Sequence, residues 1–313
     1  METKILVTGG AGFIGSCLAE KLAENKNNLV VVVDNLQTGT QTKLPKSLYK
    51  NVRFIKSDVN QFNDISSIFF AHKFDYVFHY AALVGVKRTL ANPAMVLRDL
   101  EGIRNMLDLS KNTGVKRIFY SSSSEVYGEP VEFPQNEHTT PLNSRLPYAI
   151  VKNVGEAYLR AYKQEFDLDF TIYRFFNTYG PKQSNDFVMS RFIHAALHNK
   201  DITVYGDGLQ TRTFCHIDDN IEATVSAFYQ EKYINDVVNI GSDSEITILD
   251  LAKKIIKLAN SKSKLVHLPA LKEGDMTRRC PDIHKMKILL NRKMTSLDEG
   301  IKKLITIFSR SGN

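Results

Sequence analysis

The chain has no tryptophan, only three cysteines, and no uninterrupted apolar run approaching the ~18 residues that a membrane-spanning helix needs. Each shortage removes a class of protein. Cys17, Cys215 and Cys280 are scattered and odd in number. They offer neither a disulfide framework nor metal-ligand spacing, which points to a reducing, cytoplasmic setting and to no bound metal. Met1–Lys4 run directly into an apolar segment, without the basic, apolar and small-residue regions of a secretory signal, so export is not expected. Glycine and proline, 17 and 9 residues, are too few for a low-complexity or collagen-like chain. What remains is an ordinary globular composition, 43% hydrophobic and 24% charged over 313 residues, a length that suits about two domains.

Acidic residues are also scarce in one place. Residues 253–313 hold 15 Lys/Arg against 5 Asp/Glu, a net of +10, so the first 252 residues carry −3 of the overall +7. A basic tail invites nucleic acid as a partner, but Phe308 is its only aromatic ring, and single-stranded nucleic acids are usually held on stacked aromatics. An anionic small substrate fits the sign of the charge better, with neither nucleic acid nor a membrane as partner.

Continuous apolar runs at Lys4–Thr8, Leu29–Val33, Val52–Lys56, Tyr76–His79, Lys116–Ser121 and Phe170–Arg174 read as buried parallel strands. Helical patterns alternate with them at Phe13–Glu24, Asp64–Ala71, Pro93–Asn112 and Tyr148–Glu165. That rhythm predicts an α/β fold, a doubly wound parallel sheet covered by helices on both faces. After residue 178 the rhythm changes. Helices are expected at Phe187–Leu197, Thr247–Ala259 with Thr247 as N-cap, Ile283–Leu290 and Leu297–Phe308, with a turn at Gly206–Gly208. The division is therefore 1–178 for a dinucleotide-binding unit and 179–313 for a smaller α/β substrate cap, interleaved so that later segments return to the sheet.

Between the first strand and first helix stands Thr8-Gly9-Gly10-Ala11-Gly12-Phe13-Ile14-Gly15. Gly9, Gly12 and Gly15 allow a tight turn and close approach of backbone to a pyrophosphate, which then rests on the amides that open the helix, Phe13 and Ile14 among them. Asp34 ends the second strand, 19 residues past Gly15. A carboxylate there accepts hydrogen bonds from the adenosine ribose and repels a 2′-phosphate, which favours NAD over NADP. Ser121–Glu125 end the fifth strand, and Tyr148 and Lys152 lie four apart on the following helix, hence on one face. An ammonium beside a phenol lowers its pKa and suits it to take a hydroxyl proton.

The glycine spacing resembles the TGxxGxxG signature of the extended short-chain dehydrogenase/reductases, and the whole chain resembles their nucleotide-sugar epimerase/dehydratase family. The resemblance implies a Rossmann-type sheet, with Asn35, Asp58, Val59, Ala81, Ala82 and Ser121 beside the cofactor. It implies Tyr148 as general base, Lys152 as its partner, Ser123 as the hydroxyl that positions the substrate, and Glu125 beside them. Asn177 in Tyr173–Pro181, Arg212 in Thr203–Phe214, Arg279 in Arg278–Asp282, and Lys87, Ser124, Arg191, Val204 and Tyr205 are implied on the nucleotide-sugar side, with Arg212 and Arg279 at the diphosphate. Arginine suits that task because its planar fork matches paired phosphate oxygens. The family also implies a homodimer built on the helices at Pro93–Asn112 and Tyr148–Glu165.

The implied reaction is oxidation at C4 of a nucleotide-bound sugar, as a 4-epimerase or a 4-dehydrogenase in carbohydrate biosynthesis. UDP-glucuronate decarboxylase is the alternative, since those enzymes share the Ser-Glu pair and the Arg-Arg…Pro-Asp ending. The segment Leu83–Thr89, however, looks more like that of the epimerases. A 4,6-dehydratase is disfavoured, because Ser124 stands where that group has Asp and a hydroxyl is a far poorer acid. Asp99 departs from the family's usual Asn. A non-enzymatic NAD sensor or an RNA-binding protein on the same fold would not need the Tyr148/Lys152 pair.

Overall fold

The computed structural model describes residues 2–46, 49–270 and 277–311. Its centre is a seven-stranded sheet, parallel throughout, built from β1 (Thr3–Thr8), β2 (Asn28–Asp34), β3 (Val52–Lys56), β4 (Tyr76–His79), β5 (Arg117–Ser123), β6 (Asp169–Phe175) and a strand from much later in the chain, Asp236–Ile240. The order across the sheet is β3-β2-β1-β4-β5-β6 and then that late strand, which pairs with β6 from Asp236↔Thr171 to Ile240↔Phe175. Alternation explains why the strands read as continuous apolar runs: Ile5, Val7, Val30 and Val32 enter one core, Leu6, Val31 and Val33 the other.

Helices α1 (Phe13–Ala23), α2 (Phe62–His72), α3 (Val86–Ala91), α4 (Pro93–Leu97), α5 (Asp99–Thr113) and α6 (Pro147–Phe166) belong to the first part of the chain. Ile65 and Phe69 of α2, Ile103 and Leu107 of α5 and Leu159 of α6 bury one face of the sheet. Leu18 and Leu22 of α1 cover the other face. Pro93–Asn112 was expected as one helix and is two, α4 and α5, separated at Arg98. Pro93 starts α4 at a position where its missing N–H costs nothing, and α5 restarts with Asp99 and Glu101 in its first turn, where acidic side chains suit the helix dipole. α3 falls where the sequence pattern suggests no helix.

The later chain first forms β7 (Thr178–Tyr179), α7 (Val188–Leu197), β8 (Ile202–Tyr205), β9 (Thr211–Thr213) and β10 (Cys215–His216). Next come α8 (Ile217–Tyr229), β11 (the late strand Asp236–Ile240), β12 (Glu245–Thr247), α9 (Ile248–Leu258), β13 (Leu265–Leu268), α10 (His284–Leu290) and α11 (Leu297–Ser311). Three two-stranded pairs, β7–β10, β9–β12 and β8–β13, frame the cap. Its core joins Phe192 and Ile193 of α7 with Leu251 and Ile255 of α9 and Ile301 and Leu304 of α11. Thr247 caps α9, its hydroxyl accepting from the Asp250 amide at 3.0 Å. α8 and α10 return to the first unit: Ile221, Phe228, Met286 and Leu289 share the core of α1. Neither α8 nor β11 stood out in the sequence. No helix among the described residues is long and apolar enough to cross a membrane.

Candidate active site

A cleft of ≈ 370 Å³ opens at the C-terminal ends of β1, β2, β4 and β5, the side of a parallel sheet where ligands bind. At one end lies the glycine loop. Gly9 has φ +69°, and a Cβ there would stand 2.7 Å from the Ala81 nitrogen; one at Gly15 would stand 2.4 Å from the Gly9 oxygen. No side chain caps α1 at Gly12, so the helix's first amides are left to an anion. Asp34 ties the loop together: its Oδ2 accepts from the Ala11 amide at 3.0 Å and its Oδ1 from Leu36 at 2.8 Å. A carboxylate has about four acceptor positions, so it can still receive ribose hydroxyls. These residues fit a dinucleotide.

The floor of the cleft is held by buried polar contacts. Thr8 Oγ1 lies 2.8 Å from His79 Nδ1 and accepts from the amides of Tyr80 and Ala81. Burial, with Lys152 nearby, lowers His79 to about 3, so the imidazole is neutral. Beneath β5, Glu156 Oε1 accepts from Ser122 Oγ at 2.6 Å and from Arg174 Nε at 2.9 Å, while Oε2 accepts from Arg174 Nη2 at 2.7 Å.

At the other end Ser123, Ser124, Glu125, Tyr148 and Lys152 converge. Lys152 is buried, donates to the Ser121 carbonyl at 2.6 Å and lies 5.9 Å from the centre of the Tyr148 ring. Burial lowers it to about 8, with Asp99 opposing. Tyr148 itself is pushed above the ordinary phenol range by burial, while the Ser123 hydroxyl and the Arg279 charge pull it down. Lowering of the phenol was expected from Lys152. Enclosure outweighs the Arg279 charge and the Ser123 hydroxyl together. Arg279 Nη1 pairs with Glu125 Oε1 at 2.8 Å and lies 3.3 Å from Ser124 Oγ.

Every residue expected on the cofactor side lines this cleft: Gly9, Gly12, Phe13, Ile14, Gly15, Asp34, Asn35, Asp58, Val59, Ala81, Ala82 and Ser121, with Tyr148 and Lys152. On the substrate side Ser123, Ser124, Asn177 and Arg279 line it too. Arg191, Val204, Tyr205 and Arg212 lie outside its walls. Val204 has no exposed surface, because strand alternation in β8 turns it into the cap core, so the expected ligand contact is not open to its side chain. Arg191 instead stacks with Tyr205, its guanidinium 5.6 Å from the ring centre, and Arg212 Nη1 donates to the Thr211 carbonyl at 2.7 Å. Lys87 falls in α3, but its side chain is outside the described residues. Arg278, next to Arg279 in the same motif, is on the surface, paired with Glu245 at 2.6 Å and stacked 4.2 Å over Phe133. Residues not anticipated also line the cleft, among them Thr38, Asn60, Gln183, Phe187 and Phe214. Asn60 could have been suspected from its neighbour Val59, and Phe214 from the Thr203–Phe214 segment that it closes. The others carry no sequence signal.

A doubly wound sheet with a glycine loop, an Asp at the end of β2 and a Tyr/Lys pair facing a strand-end serine defines an NAD-binding short-chain dehydrogenase/reductase. Residues 5–241 match the family described as the NAD dependent epimerase/dehydratase family, and the chain belongs to that family; its cofactor is NAD. It is 36% identical to a UDP-N-acetyl-alpha-D-glucosaminuronate decarboxylase of Bacillus cytotoxicus, over the full length of both chains. Among solved structures it is similar to UDP-glucose 4-epimerase with UDP-glucose from Thermotoga maritima (33% identity, TM-score 0.93, 99% of this chain and 100% of that one). It is also similar to a UDP-glucuronic acid 4-epimerase variant of Bacillus cereus in complex with a fluorinated UDP-glucuronic acid and NAD (29%, 0.88, 99% and 100%).

Proposed function

We propose that the protein oxidises C4 of the sugar in a nucleotide-diphosphate sugar, and that its substrate is a uronate, which then loses its 6-carboxylate. The observation that carries the second half is Arg279. Of all the basic residues in the C-terminal fifth, it is the one that lines the cleft among the described residues, and it stands with Ser124 and Glu125 beside the Tyr148 end. A buried guanidinium there matches a carboxylate on the reacting sugar in fork geometry, and Glu125 keeps it compensated until the substrate arrives.

The residues divide the work as follows. Ser123 donates to the C4 oxygen and fixes its position. Tyr148 takes the C4 hydroxyl proton as general base; the Lys152 ammonium beside it would favour its phenolate once the site is filled, and would hold the nicotinamide ribose of bound NAD. Bound NAD supplies the hydride acceptor and a positive charge. With C4 a ketone, the 6-carboxylate is β to a carbonyl. Its C–C bond breaks to release CO2, and the electron pair passes through C5 to the C4 oxygen, where Tyr148–OH and Ser123 donate hydrogen bonds. A solvent proton taken up at C5, and the proton that Tyr148 gives back to the C4 oxygen as the ketone is reduced, would complete the pentose.

The second reading is a 4-epimerase, favoured by Leu83–Thr89 and by likeness to the Thermotoga maritima enzyme. There re-reduction from the opposite face of C4 would give the epimer, with nothing lost from C6. The sequence ranks this reading first, together with a 4-dehydrogenase; the position of Arg279 supports the uronate reading instead. UDP-, GDP-, dTDP- and CDP-linked hexoses and hexuronates, incubated with the holoenzyme and followed by NMR and by the NADH absorbance, separate the two. A pentose with released CO2 from a uronate is expected. An epimer from a neutral hexose, with uronates left untouched, would establish the epimerase. Association into a homodimer belongs to the same proposal: Leu97, Ile150 and Phe166 stand 39–44% exposed on α4 and α6, and sedimentation at micromolar concentration tests it.

A further inference from the structure

Residues 36–40 leave the end of β2 and fold back against Asp34, the carboxylate that closes that strand and lines the cleft. Leu36 has φ +62°, the left-handed region that a branched side chain seldom adopts, and this turn brings its amide onto Asp34 Oδ1. Gln37 and Thr38 follow on the surface and line the cleft. Gly39 then turns the other way. It is buried between exposed Thr38 and Thr40, and it stands outside the walls of the cleft.

What Gly39 packs on is the carboxylate itself. A Cβ at this position would stand 2.8 Å from Asp34 Oδ1, 2.9 Å from Asp34 Oδ2 and 2.9 Å from the Ala11 carbonyl carbon. None of these atoms is free to drift aside. Oδ2 accepts from the Ala11 amide at 3.0 Å, and Oδ1 from the Leu36 amide at 2.8 Å. Ala11, in the middle of the glycine loop, is held a second time, its carbonyl accepting from the Thr40 amide at 3.0 Å. The segment, the carboxylate and the glycine loop are therefore one packed unit. Two of the roughly four acceptor positions of the carboxylate are spent inside it, which leaves the others for a ligand.

We propose that Gly39 is a positioning residue for dinucleotide selectivity: having no side chain, it lets the Asp34 carboxylate sit back on the Ala11 and Leu36 amides, where its remaining acceptor positions receive ribose hydroxyls and its charge repels a 2′-phosphate. Any side chain at 39 must either push the carboxylate off those amides or lift the segment from the glycine loop. The two routes leave different signatures. A displaced carboxylate costs NAD more than NADP, because only NAD offers it a 2′-hydroxyl. A loosened glycine loop weakens both dinucleotides alike, because both place a pyrophosphate there. The close approach of Gly39 to both carboxylate oxygens favours the first route.

The test needs no substrate and does not depend on which sugar is turned over. NAD and NADP are titrated by calorimetry into the full chain, freed of bound dinucleotide, as wild type, Gly39→Ala, Asp34→Ala and the double variant. In Gly39→Ala, NAD is expected to bind about fivefold or more weakly, the order of one hydrogen bond to a charged group, while NADP changes little. In the Asp34→Ala background the glycine substitution should leave the NAD-to-NADP ratio where it was, because the effect passes through the carboxylate. A ratio unchanged in Gly39→Ala, with both dinucleotides bound as in wild type or both weakened alike, overturns the proposal. So does a further narrowing on top of Asp34→Ala. Should Gly39→Ala alone not fold, thermal unfolding of the double variant decides: a fold regained when the carboxylate is removed supports the contact, and a double variant that stays unfolded overturns it.

Discussion

Replacing Glu156 by Gln removes one charge from the most enclosed ionic contact in the cleft floor. Glu156 and Arg174 expose 0% and 1% of their side chains, so neither ion can turn to water. The carboxylate receives both prongs of the guanidinium and the Ser122 hydroxyl. Burial would lower the Arg174 pKa, yet Glu156 more than offsets this and holds it above the usual value. In Glu156→Gln the shape is kept, but one accepting oxygen becomes an NH2 facing a donor, and the arginine is left charged and uncompensated. Breaking a buried pair in this way costs about 3–5 kcal/mol. At roughly 2 °C per kcal/mol for a chain of this size, the midpoint falls by roughly 6–10 °C. Scanning calorimetry and urea unfolding of the NAD-saturated protein measure it. The double change Glu156→Leu with Arg174→Met should regain at least about half of the loss, because apolar residues of similar volume often replace a buried pair at little cost. A single variant within about 1 kcal/mol of wild type would refute the reasoning, and the pair would then be solvated more than its enclosure implies.

Three further outcomes are expected. Tyr148→Phe should lower the rate of sugar oxidation by about 10²–10⁴-fold, the usual worth of a positioned proton acceptor, while NAD affinity by calorimetry changes little. Because burial brings Lys152 to about 8 in the fold, below the ordinary lysine value of 10.5 that it regains when unfolded, the unfolded chain binds more protons between those values. Stability should therefore rise with pH across that window. Unfolding of wild type and Lys152→Met at pH 7 and 9 should show the wild type gaining relative to the variant, and parallel curves would count against the assignment. Asp34→Ala should weaken NAD binding about tenfold or more and narrow the preference over NADP, read by titration calorimetry with each dinucleotide.

Much of this was legible because local chemistry decided it. The strands of the sheet are hydrophobic on both faces, so their residues could be read without knowing their partners. The turn at Gly9–Gly15 needs glycine for steric reasons that hold in any context. Tyr148 and Lys152 met because a helix brings positions four apart to one face. Other features depended on distant parts of the chain. β11 is a short Val-Val-Asn run that becomes a strand only because the edge of β6 is waiting for it. Helix α8 carries buried residues on most of its circumference, so it has no amphipathic stripe to reveal it. Arg279 and Glu125 are 154 positions apart, and neither residue's surroundings hint at their pairing; that needed the backbone bridge in which Gln135 receives the Cys280 and Asp282 segment. Val204 misled for a related reason: the motif placed it near a ligand, while the strand's pleat turned it away.

The return of the chain to the sheet sets an order on synthesis. When a ribosome has released only β1 to β6, the outer edge of β6 has no neighbour. The face of the sheet that α8 and α10 later cover, where Phe78, Phe119 and Tyr173 lie, is still bare. The strand that closes that edge arrives at Asp236, and the last helix over that face ends at Leu290. The nascent cofactor-binding half must therefore wait, with an open strand edge and a line of aromatic rings exposed, until most of the cap has emerged. This is the interval in which the chain is most open to association with its own copies and most in need of a chaperone.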